Sequence, residues 1–563
     1  MIPRKFVQRT NFMAVSLFLL LMIVVWRLIS VQVLQAGRYR DLLVSRFSLN
    51  EVPPPRGSIL DRNGEVLAKD LEAISIFACP VRVKNPQEVA QSLSQALALN
   101  EEELTRALSS GATWMEVKRK VPLYLGKLLF QKRWEGIYWE NDTMRFYPKA
   151  PLLSNVLGFV GSENQGLEGI EFAFDSYLRG DKGYSSFERD ALGGEIPLSA
   201  KHSPPRPGND VVLTIDASVQ FFVEKALDAA MERTKAQRGI IIVNDPRSGD
   251  ILAVASRPSY DNRYFSQYES SCFRNLAFEM VFEPGSTVKP LVMAAALEEK
   301  VVNLNNQFFC SGSIMVHNHR VRDIKAHGAQ TLEDIIINSC NVGIIEIARK
   351  IQENKLYAYL KDFGLGEASG IGMPGEERGL LRPPKEWSLL SIGAIPIGQE
   401  MMVTPLQLLK ALSALANKGI LMKPRLVSRI VGVGGKVVEE FPVTPLKRVV
   451  SEKTAAMVLG MMEKVVEKGT GKRAFIEGYR IAGKTGTGQK VDASGRYAPG
   501  KFYSSFVGFF PLPEPRFGIL VMLDEPQGEY YGGDVAAPVF REIALNIIDY
   551  AGIISKDAEV RVF

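Results

Sequence analysis

The sequence predicts an α+β domain in which an antiparallel sheet, assembled from both ends of one segment, brackets a helical insert. Three observations carry that prediction. "GIIIVND" and "ILAVAS" flank the turn "PRSGD" as an antiparallel hairpin, and "SSFVGFF" and "FGILVML" supply two more strands near the other end. Between them, Asn275 to about Lys418 reads as mainly helical. A capped helix precedes the first of these strands, and another closes the domain after the last.

Taken in order, residues 1–11 carry Arg4, Lys5 and Arg9. "FMAVSLFLLLMIVVW" (Phe12–Trp26) is short for a bilayer, which needs about 20 apolar residues. Continuing through Leu34 supplies the length but includes Arg27, which can reach a headgroup or pair with a partner helix. A basic start and short apolar core also fit a cleaved signal peptide, yet "LQA" at Leu34–Ala36 is a poor cleavage site. The reading is an uncleaved anchor over 12–34, a cytoplasmic tail over 1–11 and the rest outside. Arg38, Arg40 and Arg46 dilute the charge asymmetry that sets this orientation.

Pro53–Ala68 is a proline-rich entry followed by a hairpin turn at Asn63-Gly64, and "PQEVAQSLSQALAL" is a helix. "HSPPRPGND" (His202–Asp210) is the strongest internal punctuation. It places a non-catalytic region over 35–208 and the α+β domain over 209–552, with 553–563 as a tail. In that domain "VVLTID" is a strand, Asp216 caps the helix of "ASVQFFVEKALDAAMERTKAQ", and "VAAPVFREIALNIIDYAG" is the closing helix.

At 563 residues, 46% hydrophobic and 23% charged, the chain is globular and long enough for two or three domains. A net charge of +6 without a long Lys/Arg block excludes a nucleic-acid groove. Cys79, Cys272, Cys310 and Cys340 lie far apart without metal-ligand spacing, so free buried thiols are expected; one disulfide would need an oxidising compartment. His317 and His319 form an isolated His-x-His. Neither a metal nor a cofactor is expected.

Chemistry enters with "FEPGSTVKP" (Phe282–Pro290). If Pro284-Gly285 opens a helix, Ser286 and Lys289 share one face, about 5–6 Å between Cβ atoms. Lysine deprived of solvent or set beside another cation loses its proton readily and can activate a serine nucleophile. Alone, a Ser-x-x-Lys is more often a helix start with a solvated lysine. "NSCNVG" adds Ser339 and Asn341, a hydroxyl that can relay a proton and an amide that can hold a lysine and a carbonyl. "AGKTGTGQK" adds Lys484, Thr485, Gly486 and Thr487, a cation and two hydroxyls beside a backbone open to close approach, which suits a carboxylate. "GYRIAGKT" (Gly478–Thr485) also satisfies the Walker A pattern, with "ILVMLDE" downstream as its acidic strand. That reading needs a helix opening at Lys484, and the glycines and proline of "TGTGQKVDASGRYAPG" forbid one.

Ser-x-x-Lys, Ser-x-Asn and Lys-Thr-Gly in this order form the signature of penicillin-binding proteins and active-site serine β-lactamases. The chain resembles a class B penicillin-binding protein over essentially its whole length. Arg56-Gly57, Asp61-Arg62-Asn63-Gly64, Arg145, Tyr147, Pro148 and "GLEGIE" (Gly166–Glu171) match the family's pedestal motifs, read as interdomain structure. "FEPGSTVKP", "NSCNVG", "GQEMMVTPLQ", "KTGTGQK" and "YYGGDVAAPVF" most resemble the septal, FtsI-type member. Elongation-type relatives usually carry aspartate where this chain has Asn341. "GQE" departs from the usual Gly-Gln-Gly, and Cys340 replaces a common serine, its side chain expected to point away. No PASTA repeats follow, which argues against Gram-positive and sporulation variants that carry them.

The resemblance implies a penicillin-binding/serine β-lactamase-like transpeptidase domain behind an elongated, β-rich pedestal of the dimerisation type and a transmembrane helix. It implies acyl transfer to stem peptides ending in D-Ala-D-Ala, with Ser286 as nucleophile and Lys289 as base. Ser339 would relay the proton, Asn341 would orient Lys289 and the substrate amide, and Lys484, Thr485 and Thr487 would hold the terminal carboxylate. Backbone N–H groups of Ser286 and Thr487 would form the oxyanion hole. Implied partners are lipid II-derived glycan strands, β-lactams, an FtsW-type membrane glycosyltransferase and other divisome proteins, in septal wall synthesis. The alternatives are an elongation-type transpeptidase, a D,D-carboxypeptidase and a division scaffold. A class A β-lactamase is disfavoured because no Glu-x-x-x-Asn lies between Asn341 and Lys484.

Overall fold

The computed structural model describes residues 4–36, 47–189, 195–491 and 496–554. They fall into two compact units, one from Met1–Pro55 with Gly180–Pro207 and one from Arg56–Arg179 with Gly208–Phe563. In the first, helix Arg4–Ile29 runs into a π-helical turn, Ser30–Leu34. Its stretch Arg9–Leu34 has mean hydropathy 2.5 and is long and apolar enough to cross a membrane. The unit also holds a three-stranded antiparallel sheet with Gly183–Arg189 between Phe47–Val52 and Glu195–Ser203. Arg38, Arg40 and Arg46, which bear on orientation, lie outside the described residues, as does most of the 553–563 tail.

The second unit contains the expected sheet. Its strands run in the order Ile251–Arg257, Arg238–Asn244, Phe517–Asp524, Tyr497–Phe510 and Ala482–Val491, every neighbour antiparallel. Side chains alternate between faces along a strand. Ile241, Phe506 and Val521 therefore pack against Val223, Phe540 and Ile543 of the helices Ala217–Thr234 and Ala537–Ala551. Ile242, Val507 and Leu520 face the helical insert instead. With both faces covered, the strands read as nearly unbroken apolar runs. Asp216 caps the first helix as expected, accepting the Ser218 and Val219 N–H groups.

The strand in "VVLTID" is placed differently. Asp210–Leu213 pairs antiparallel with Val427–Val431 and parallel with Ile59–Leu60, inside a seven-stranded sheet that also includes Val66–Ala78 and Met115–Pro122. One sheet thus runs across the His202–Asp210 punctuation. Prolines and glycine mark where regular backbone must break, but they carry no information on which strand the chain pairs with next. The Asn63-Gly64 turn forms: Asp61 Oδ1 accepts N–H groups of Asn63 and Glu65, and Gly64 takes φ +86°. The helix in "PQEVAQSLSQALAL" spans Pro86–Leu97.

Candidate active site

Pro284 (φ −66°) leads into one 3-10 turn, Gly285–Val288, from which helix Lys289–Glu298 continues with Pro290 in its first turn. Proline fits there because its fixed φ suits helix entry and its missing N–H is not needed. The insertion point is crowded. Gly285 N–H donates to Gly398 O at 3.1 Å, and a Cβ on Gly398 would lie 2.1 Å from Gly285 O. Residues Phe282 to Pro290 are buried except Ser286, which is half-exposed. Leu291 to Leu297 are buried too, so this helix carries Lys289 into the interior at 0% exposure.

Ser339 sits at φ +55° in the turn between helices Leu332–Ile337 and Asn341–Ile351. The turn wraps the Lys289 ammonium. Nζ donates to the Ser339 carbonyl, to Ser339 Oγ at 3.3 Å and to Asn341 Oδ1 at 2.7 Å. Asn341 is itself held: its Nδ2 donates to Arg322 O at 3.1 Å, and its N–H to Asp323 Oδ2 at 2.8 Å. The Cys340 Sγ accepts the Gly343 N–H at 3.3 Å.

Lys484 lies on the edge strand Ala482–Val491 and is likewise 0% exposed. Its Nζ donates to Ser339 Oγ at 2.9 Å and to Thr485 O at 3.0 Å. One hydroxyl thus sits between two lysines. Thr485 Oγ1 pairs with Thr470 Oγ1 at 2.8 Å, and Thr487 Oγ1 accepts the Gly532 N–H at 3.2 Å. Gly486 is pressed so closely that a Cβ would meet Ser505 Oγ at 2.4 Å and Thr287 Cγ2 at 2.7 Å. No helix opens at Lys484, so "GYRIAGKT" lacks the N–H cradle of a phosphate loop. Asp524 and Glu525, its would-be acidic partners, pair with Lys490 at 2.8 and 2.6 Å.

Burial pushes Lys289 down to about 8, with Asp323 and Cys340 opposing the fall. Burial and then the Lys289 charge push Lys484 well below the ordinary lysine range. Two ammonium groups cannot both stay charged around one hydroxyl, so the pair is short of a proton near neutral pH. Once an anion draws the shared charge to Lys484, the arrangement can offer Lys289 as a neutral amine one helical turn from a half-exposed hydroxyl. It keeps a cation for an anionic ligand, with Ser339 as a bridge between them.

The structure brings all eight predicted residues together. It adds three the sequence did not reveal. Asp323 anchors the Asn341 turn, Thr470 braces Thr485, and buried Glu283 accepts the Glu400 N–H at 2.9 Å beside the nucleophile turn. Glu283 lies within the quoted "FEPGSTVKP", and its partner Glu400 is the departure from Gly-Gln-Gly. Asp323 and Thr470 lie 18 and 15 residues from the groups they hold, outside any short motif.

Residues 239–545 match the family described as penicillin binding protein transpeptidase domain, and 51–213 the penicillin-binding protein dimerisation domain. The chain belongs to the class B penicillin-binding proteins. It is accordingly a serine transpeptidase of peptidoglycan and a target of β-lactams. It is 36% identical over 558 residues to stage V sporulation protein D of Bacillus subtilis, covering 97% of this chain and 86% of that protein. With peptidoglycan D,D-transpeptidase FtsI of Escherichia coli it shares 32% over 517 residues, covering 90% and 84%. Among solved structures, a peptidoglycan synthetase of Bifidobacterium adolescentis superposes with TM-score 0.74 at 28% identity, covering 91% of this chain and 98% of that one. Penicillin binding protein 3 of Mycobacterium, complexed with aztreonam, gives TM-score 0.72 at 28% identity, covering 90% and 98%.

Proposed function

We propose that this class B penicillin-binding protein cross-links stem peptides ending in D-Ala-D-Ala through an acyl-enzyme on Ser286. The observation that carries this reading is the Ser339 hydroxyl bridging two buried lysines, Lys289 and Lys484. Neutral Lys289 takes the Ser286 proton as Oγ attacks the penultimate carbonyl, and Ser339 passes it to the departing D-alanine. An anionic substrate carboxylate beside Lys484, Thr485 and Thr487 favours charge on Lys484 and so leaves Lys289 neutral. Gly486 leaves room for Thr287 and Ser505 to pack against the strand, Asn341 orients Lys289, and the backbone N–H groups of Ser286 and Thr487 receive the oxyanion. An amine from a neighbouring stem peptide then resolves the acyl-enzyme.

The apolar helix over Arg9–Leu34 supports a membrane anchor; the proposal adds a cytoplasmic N-terminus, favoured by Arg4, Lys5 and Arg9, a transpeptidase domain outside, and contact with an FtsW-type glycosyltransferase at Arg27. Septal duty is the finer reading, resting on Asn341 and on the relationship to FtsI. A sporulation role is the second, favoured by the greater identity to stage V sporulation protein D. Intact-protein mass spectrometry of the full chain in detergent with benzylpenicillin tests the chemistry. A lasting one-drug adduct on wild type and none on Ser286→Ala is expected; an adduct on Ser286→Ala would sink the nucleophile assignment. Depletion in the native cell separates the duties: filaments with blocked septa support division, whereas normal division with defective spores supports sporulation.

A further inference from the structure

Behind the Ser339–Asn341 turn, Cys310, Asp323, His327 and Cys340 converge, with one donor atom of each within 4.8 Å of the other three. Cys310 ends the strand Gln307–Cys310, Asp323 and His327 lie between His319–Arg322 and Gly328–Thr331, and Cys340 caps helix Asn341–Ile351. Cys310 Sγ is 3.6 Å from Asp323 Oδ2 and 3.6 Å from His327 Nδ1, and those two atoms are 3.8 Å apart. Both cysteines are buried, and the side chains of Asp323 and His327 are 1% and 6% exposed.

We propose that these four residues bind one zinc ion. Zinc bonds of about 2.3 Å to sulfur and 2.0–2.2 Å to nitrogen or oxygen give tetrahedral edges of about 3.3–3.8 Å; the separations among Cys310, Asp323 and His327 are 3.6–3.8 Å, and the Cys340 sulfur lies within 4.8 Å of all three. Two thiolates and an imidazole select a borderline-soft metal, whereas magnesium and calcium require more oxygen ligands than one carboxylate supplies. Charge balances as well. With neutral thiols, a neutral imidazole and ionised Asp323 the cluster carries one negative charge. Entry of Zn2+ with release of both thiol protons leaves that net charge unchanged.

The metal acts through position. Asp323 Oδ2 also accepts the N–H groups of Asn341 and Val342, at 2.8 and 3.3 Å, and Cys340 lies between Ser339 and Asn341 in the chain. A zinc ion would therefore tie the turn that grips Lys289 to two other loops. Spacing in the sequence hides the site, because the ligands come from separate segments and the conspicuous His317 and His319 are exposed and take no part.

The test uses the full chain purified in detergent without chelator. Elemental analysis should find one zinc per chain. Stripped, reduced protein titrated with Co2+ should develop tetrahedral visible bands and thiolate-to-cobalt charge transfer in the near ultraviolet. Cys310→Ser and His327→Ala should each weaken zinc binding at least tenfold, while the double variant His317→Ala/His319→Ala should bind as wild type. Should either ligand variant fail to fold, the wild-type cobalt spectrum alone decides. Absence of zinc together with no thiolate–cobalt band would overturn the proposal, as would a Cys310–Cys340 disulfide that persists through metal loading. Metal content is read without any β-lactam, so its failure is separate from failure of the Ser286 assignment.

Discussion

At the scale of single residues, the site is governed by where one proton resides. Lys289 is lowered to about 8 by burial, so it is mostly protonated below that pH and mostly neutral above it. Only the neutral amine can take the Ser286 proton. Acylation by a fluorescent penicillin, followed by stopped flow, should therefore rise about tenfold per pH unit below 8 and level off above it. A profile flat from pH 6 to 9 would remove Lys289 as base. Asn341→Asp gives a sharper check. It puts an anion where Asn341 Oδ1 now accepts from Lys289 at 2.7 Å, and an acceptor where Nδ2 now donates to Arg322 O. An opposite charge this close favours the ammonium, so the midpoint should move upward by about one pH unit or more. An unmoved midpoint would mean that the amide does not set the Lys289 charge.

At the scale of elements, the nucleophile turn is pressed by the Gly398 backbone and braced from within by the Thr287 hydroxyl, which donates to Pro284 O at 2.7 Å. Gly398 and Gly372 both have positive φ, +80° and +77°, but only Gly398 meets a neighbour, Gly285 O at 2.1 Å from its would-be Cβ. Gly372→Ala should cost only the backbone term, about 1–2 kcal/mol of stability. Gly398→Ala must also displace the Ser286 turn, and a shift near 1 Å costs about a hundredfold in rate. Acylation by penicillin beside thermal unfolding of the two variants separates these effects; equal acylation in both would refute the clamp. Such contacts explain what the sequence could reveal. Strands, caps and the three motifs were legible because each is a local pattern in composition or spacing. The parallel pairing of Asp210–Leu213 with Ile59–Leu60, the Asp323 anchor and the four-residue cluster were not, because each depends on residues brought together only by the finished fold. The Walker-like "GYRIAGKT" shows why context counts: its four specified letters fit, but, as the glycines after it indicate, its lysine lies on a strand.

At the scale of the whole molecule, Arg56, Arg145 and Glu171 of the pedestal motifs converge on one buried ion cluster. Glu171 is 0% exposed; its Oε2 accepts from Arg56 Nε and its Oε1 from Arg145 Nε, both at 2.6 Å. Arg56 also reaches Asp175 at 2.6 Å, and Arg145 reaches Asp70 at 3.0 Å. Next to Arg56, a Cβ on Gly57 would lie 2.0 Å from Asn209 O, and the Ser58 N–H donates to Asp210 Oδ1 at 2.6 Å. Through Asp210 the cluster abuts the strand that joins Val427–Val431 to Ile59–Leu60. Removing one partner of a buried ion pair leaves an uncompensated charge, which costs about 3–5 kcal/mol. Glu171→Gln should lose stability on that scale in urea unfolding. None of its hydrogen-bond partners touches Ser286, Lys289 or Lys484, so acylation per folded molecule should match wild type. A stable variant with slowed acylation would instead tie these motifs to the chemistry and overturn their reading as structure between domains.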